Sequence, residues 1–214
     1  MPVTTPGPAG AHGTTVALLI RHAHTDALGR ILAGRGAAVP LSSAGRAQAD
    51  RLGRTLAALP LAGIYTSPLE RAVETARAIA RHQAAPVQED DDLNEIDFGE
   101  WTGRTFQELE PLEAWQAFNR RRASAVIPNG ETPDLVQERM VGAITRLTGA
   151  HRGRTIAMVS HGDVIRSAVL YIAGSSLDLW DRFEISPASI TAVAVSRNAF
   201  RLLYVNHGQI GAAA

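Results

Sequence analysis

The feature that most constrains this chain is an alternation of short, wholly apolar runs with stretches whose apolar residues recur at helical spacing. Val16–Ile20 is the clearest run, the mark of a strand buried on both faces. Behind it, Ser42 or Ser43 reads as a helix N-cap, and Leu52, Leu56 and Leu59 form an apolar stripe. Ile64-Tyr65-Thr66 reads as a second strand. It runs into Ser67-Pro68-Leu69-Glu70, where Ser67 suits a cap, Pro68 the first helical position and Glu70 the closing member of a capping box. The helix that follows buries Leu69, Val73, Ala76 and Ala80. Val87 marks a third strand, ahead of the acidic stretch Glu89–Asp92. Thr132-Pro133 opens another helix, with Val136, Met140, Ile144 and Leu147 on one face. Ile156–Ser160 is the fourth strand, followed by an apolar helix ending at Gly174. Ile190–Val195 and Phe200–Val205 close the chain as a hairpin about Arg197-Asn198.

Strands alternating in this way with helices predict an α/β fold: a three-layer sandwich, mostly parallel in its central sheet, with helices on both faces. The 214 residues suffice for one domain, placed here at 16–207. Within it, residues 93–129 are irregular, with short helices around Phe106–Leu109 and Trp115–Phe118, and are expected to form a cap over the sheet. Residues 1–15, rich in Pro, Gly and Thr, read as a flexible leader, and 208–214 as a flexible tail. The 21 basic and 21 acidic residues cancel, which argues against nucleic acid or an anionic membrane as the main partner. No apolar run approaches the roughly 18 residues of a membrane span, so a cytoplasmic protein is expected. There is no cysteine, which excludes disulfides, thiolate nucleophiles and thiolate metal sites. There is no lysine either; every basic residue is arginine, so Schiff-base chemistry and a P-loop lysine are excluded while forked guanidinium groups are plentiful.

In such a sheet, ligands gather at the carboxyl ends of the strands. Arg21-His22 follows the first strand, Ser67 and then Arg71 the second, and His161-Gly162 the fourth. Two imidazoles and two guanidiniums thus converge on one edge. Two arginines aimed at one point repel unless an anion lies between them, and a phosphoryl group is the simplest anion that satisfies so many donors. The N-termini of the helices starting near Pro68 and Asp163 add their positive ends. A neutral imidazole there is a competent nucleophile toward phosphorus, and departure of an alkoxide calls for a nearby carboxylic acid. Glu95, Asp97 and Glu100 are the candidates; apolar burial raises a carboxyl's pKa and the arginines lower it.

The ordered motifs Leu19-Ile20-Arg21-His22-Ala23-His24-Thr25, Leu41 to Ala49, Ser67-Pro68-Leu69-Glu70-Arg71, Leu93-Asn94-Glu95 with Phe98 to Trp101, Asn129 to Thr132, and Val159-Ser160-His161-Gly162 resemble the histidine phosphatase, or phosphoglycerate-mutase-like, superfamily over roughly residues 16 to 205. The resemblance implies that His22 is the nucleophile and becomes phosphohistidine. It implies that Arg21, Arg71 and His161, with Gly162 beside it, bind the phosphoryl group, that Glu95 is the general acid and base, and that neither metal nor cofactor takes part. The chain departs from the family pattern with Ala23 in place of Gly, His24 in place of Glu, and Leu28 where many members carry a phosphate-binding Asn. One phosphate contact is therefore expected either to be missing or to be supplied by Thr25 or a backbone amide of the Gly29–Gly36 loop.

Phe98 to Gly103 resembles the phosphatase branch, so hydrolysis of small phosphorylated metabolites is the expected activity. A cofactor-dependent phosphoglycerate mutase is the runner-up, kept open by Arg120-Arg121-Arg122, which either meets a substrate carboxylate or second phosphate or is a solvated charge run. Two further readings are a metal-dependent hydrolase using His22 and His24, and a phosphate-binding module without turnover. Arg46, Arg51 and Arg54 read as a wet helix face, and His12, His82, His151 and His207 as surface residues. The oligomeric state is open between monomer and homodimer.

Overall fold

Side chains alternate across a strand, so a sheet covered on both faces needs apolar residues at odd and even positions alike. That is how β1 (Thr15–Arg21) is used in the computed structural model, which describes residues 13–36, 39–197 and 199–208. Ala17 and Leu19 pack with one set of helices, and Leu18 and Ile20 with the other. β2 (Gly63–Thr66), β3 (Val87–Glu89) and β4 (Thr155–Ser160) lie parallel to β1, while β5 (Ile190–Ser196) and β6 (Ala199–His207) add an antiparallel hairpin. The order is β3-β2-β4-β1-β5-β6.

On one face lie α1 (Ser43–Leu56) and α2 (Glu70–Ala80), burying Leu52, Leu56, Ala72, Ala76 and Ile79. On the other lie α5 (Pro133–Ala150) and α6 (Gly162–Ile172), whose Val136, Met140, Ile144, Val164 and Ile165 are buried. Between β3 and α5, the short helices α3 (Phe106–Leu109) and α4 (Glu113–Arg120) arch over this second face. Phe98, Trp101, Trp115 and Phe118 pack there edge-to-face and stacked, with ring centroids 5.4–6.1 Å apart. Leu93, Ile96, Phe98 and Trp101 share one core with α5 and α6, so the segment is glued to the sandwich by apolar burial. The result is the expected three-layer α/β arrangement, parallel over four of its six strands.

Some expectations shift at the edges. β1 takes in Thr15, which is buried, and Arg21 is the last residue of the strand, not the first after it. Residues 1–12 of the expected leader, 209–214 of the expected tail and Asn198 of the hairpin turn lie outside the described residues. Ser42, not Ser43, caps α1, accepting from Gly45 N. The residue at the boundary of α2 is Leu69, not Ser67, and among the described residues no side chain caps it; the Ser67 hydroxyl accepts from Leu69 N at 3.3 Å and also meets His161. Of the expected surface histidines, His151 is half-buried and hydrogen-bonded to the Tyr65 hydroxyl at 2.7 Å.

Candidate active site

Parallel register decides which residues can meet at the strand ends. β1 and β4 pair Arg21 with Ser160, and β2 and β4 pair Thr66 with Val159. His22, Ser67 and His161 therefore leave three adjacent strands at one level. Two backbone hydrogen bonds extend the ladder past the strands, His22 N to Ser160 O at 2.9 Å and Ser67 N to Val159 O at 2.9 Å. The rings of His22 and His161 stand 5.2 Å apart, edge to face.

The hydrogen bonds of His22 fix its tautomer. Its Nδ1 lies 2.8 Å from the Ala23 carbonyl, which can only accept, so Nδ1 carries the proton and Nε2 keeps its lone pair. Arg71, in the first turn of α2, donates Nε to that Nε2 at 3.3 Å and a terminal nitrogen to Gly34 O at 2.8 Å. Arg21 donates to Ile185 O at 2.5 Å, while its buried Nε has no partner among the described residues. A Cβ on Gly162 would sit 3.1 Å from the Arg21 Cζ, so glycine is what lets this guanidinium lie across the start of α6. Among the described residues no side chain caps α6, which leaves its first N–H groups available to an anion.

These groups line a cleft of about 160 Å³ that also includes Thr25, Glu95 and Asp163. A larger groove, about 550 Å³, runs between α1 and α2; its arginines are solvated or ion-paired on the surface, and it lies away from the histidines. His161, expected to contact a phosphoryl group directly, is fully buried, with its ring 5.2 Å from that of His22. It shares a 2.8 Å hydrogen bond with Ser67 Oγ through Nε2, and its Nδ1 lies 3.7 Å from a Glu95 oxygen. Of the three candidate carboxyls, Glu95 faces the histidines. Asp97 accepts from Gly99 N and lies 3.9 Å from Arg35, while Glu100 accepts from Asn129.

A family model described as the histidine phosphatase superfamily (branch 1) matches residues 17–208. The chain belongs to the histidine phosphatase superfamily. It is 35% identical over 170 residues to phosphoglycerate mutase-like protein 4 of Arabidopsis thaliana, covering 77% of this chain and 69% of that protein. It is 29% identical over 195 residues to the adenosylcobalamin/alpha-ribazole phosphatase of Escherichia coli, covering 90% of this chain and 96% of that one. Mycobacterial relatives, 34% identical over 88% of this chain, are longer, and the chain spans about half, 52%, of their length. Among solved structures, Bacillus stearothermophilus YhfR superposes with a TM-score of 0.84 at 31% identity, covering 88% of this chain and 95% of that one. This chain is accordingly a phosphatase of a superfamily of metal-independent hydrolases.

The loop that carries Glu95 in this histidine phosphatase is held by arginines the sequence reading passed over. Arg139, on α5, donates to the carbonyls of Asp92, Asn94 and Glu95 and to both oxygens of Glu131. Arg35 donates to the Glu95 carbonyl at 2.8 Å and to Glu131 at 2.9 Å. Glu131 sits in the Asn129–Thr132 motif, where it had no assigned role; it is the anchor of this clamp. Ser160 Oγ ties the Leu93 carbonyl to the end of β4 at 2.7 Å.

Two sequence alternatives are corrected here. His24 hydrogen-bonds Ser42 Oγ at 2.8 Å, and among the described residues no group of three or more His, Asp or Glu is placed to hold a metal; the His22/His24 metal reading has no ligand set. The arginine run divides: Arg120 and Arg121 are exposed, but Arg122 is buried. Its guanidinium lies 3.9 Å from the Phe118 centroid and 3.7 Å from that of Trp180, and reaches Asp163 at 3.5 Å.

Burial, reinforced by Arg71, pushes both His22 and His161 well below 6.5, so both rings are neutral at neutral pH. Burial and the nearby Asp163 carboxylate raise Glu95 from its ordinary 4.5 to about 7, against the opposing pull of Arg71 and Arg21. A carboxyl whose pKa is higher folded than unfolded loses stability as pH rises between the two values. From 4.5 to about 7 the cost is on the order of 3 kcal/mol. Glu95→Gln is therefore expected to melt above the parent at about pH 8, with the gap closing toward pH 4.5. A gap in melting temperature that does not change with pH would contradict this assignment.

Proposed function

We propose that this chain hydrolyses small phosphomonoesters through a phosphohistidine at Nε2 of His22, with Glu95 as proton donor and then acceptor. The observation that carries the reading is the Nε2 lone pair, fixed by the Ala23 carbonyl and met by Arg71 Nε at 3.3 Å, on a histidine that lines one cleft with Arg21 and Arg71. The phosphoryl oxygens would lie between Arg21, Arg71 and the first N–H groups of α6, with Thr25 and Gly162 beside them. Nε2 attacks phosphorus, the P–O bond to the alcohol breaks, and the protonated Glu95 gives its proton to the leaving oxygen. The resulting carboxylate then takes a proton from water, whose oxygen attacks the phosphohistidine, releasing inorganic phosphate and restoring both groups. Electrostatic stabilisation by the fixed guanidiniums supplies most of the acceleration.

Small phosphorylated metabolites in the cytoplasm are the setting this reading assigns. Among the described residues no helix is long and apolar enough to cross a membrane. The test is to quench the enzyme during turnover and map the bound phosphate. Acid-labile, base-stable phosphate on His22, formed equally after exhaustive chelation, is expected. Phosphate on another residue, or turnover that chelation abolishes and a divalent ion restores, overturns the proposal.

A further inference from the structure

Beyond the phosphoryl donors and the carboxyls of Glu95 and Asp163, the side chains of the cleft are mostly apolar. Leu28, Ile31, Leu32, Phe98 and Phe106 supply most of its remaining side chains. Leu28 and Phe106 leave 41% and 37% of their surface exposed, two large apolar groups in the lining of one cleft, where a ligand could cover them. The volume of about 160 Å³ is well under the roughly 300–1,000 Å³ of sites that enclose a drug-sized ligand. It holds the phosphoryl group and the first atoms of the alcohol, and the rest of the alcohol lies along this wall.

A carboxylate or second phosphate on the alcohol would need its own cation. The nearby arginines are already engaged: Arg35 with Glu131 and the Glu95 carbonyl, Arg122 between two aromatic rings and against Asp163. Arg30 and Arg104 are exposed and do not line the cleft. Besides Glu95 and the phosphoryl-facing groups, the one charged side chain in the described lining is Asp163, an acid.

We infer that the substrate's alcohol half is apolar and uncharged, an alkyl or aryl phosphomonoester, and that Leu28 and Phe106 select it. The inference rests on the phosphatase reading above. It is tested by kcat/KM for ethyl, butyl and hexyl phosphate, whose alcohols have similar acidity, beside O-phosphoserine and 3-phosphoglycerate, with p-nitrophenyl phosphate and His22→Ala as controls. The hexyl ester should exceed the ethyl ester by about tenfold, and phosphoserine should not exceed the ethyl ester. Phe106→Ala should reduce the hexyl-to-ethyl ratio by about fivefold, and Leu28→Arg should shift the hexyl-to-phosphoserine ratio toward phosphoserine by about tenfold. His22-dependent turnover that ignores chain length, or that favours phosphoserine or 3-phosphoglycerate, overturns the inference and leaves the phosphatase reading standing. Turnover of p-nitrophenyl phosphate that survives His22→Ala overturns both.

Discussion

Replacing His22 with alanine is expected to lower kcat by about 10⁴-fold or more and to abolish acid-labile phosphate on the protein. Both effects follow from one atom. Nε2 is the nitrogen left with a lone pair when Nδ1 donates to Ala23, and burial beside two guanidiniums keeps it unprotonated at neutral pH. The neighbouring His161 cannot take over: it is fully buried, and its Nε2 is committed to Ser67. Most of the anion site outlasts the missing ring: Arg71 loses its His22 partner but keeps Gly34 O, Arg21 is held by Ile185 O, and α6 keeps its N-terminus. His22→Ala should therefore still bind inorganic phosphate, shown by calorimetry or a phosphate-dependent rise in melting temperature. Loss of turnover with phosphate binding retained separates a missing nucleophile from a collapsed site. Residual turnover within about a hundredfold of the parent would mean that another group attacks phosphorus.

The parts of this site that were legible in the sequence are those set by local pattern. Apolar runs such as Val16–Ile20 and Ile156–Ser160 place Arg21-His22 and His161-Gly162 at strand ends without knowledge of the fold. Register is different. That Arg21 pairs with Ser160, bringing the two rings to 5.2 Å, is a property of the assembled sheet. Ser67 shows the limit of local rules, because a serine ahead of a proline suits a local turn bond and a tertiary hydrogen bond equally well; its hydroxyl makes both, to Leu69 N and to His161, and only the assembled fold shows the second. Arg139 was hidden in the apolar face of α5, one residue before the buried Met140. An arginine there implies a buried anion partner, and Glu131 is that partner. Arg122 misled for a related reason. A run of three arginines reads as solvated, and two of them are, but aromatic faces on both sides let the third be buried as a stacked cation.

Glu95→Gln is expected to divide substrates by their leaving groups. An alkoxide needs a proton as the P–O bond breaks, so hydrolysis of alkyl phosphates should fall by about 10²–10⁴-fold. A nitrophenolate leaves without help, so its loss in the first step should be far smaller. The pH profile carries the same signature. The parent needs Glu95 protonated for the first step, and its pKa of about 7 makes kcat/KM for alkyl esters fall as pH rises through that value. On the acid side activity persists to well below pH 6.5, since the depressed His22 resists protonation. Glutamine cannot ionise, so the alkaline limb near pH 7 should vanish from what activity remains. The substitution keeps the acceptor that receives Ile96 N, and the loop stays clamped through its backbone by Arg139 and Arg35. A merely structural defect would therefore lower both ester classes alike and leave the limb in place; a selective loss together with the missing limb is the outcome that assigns Glu95 the proton.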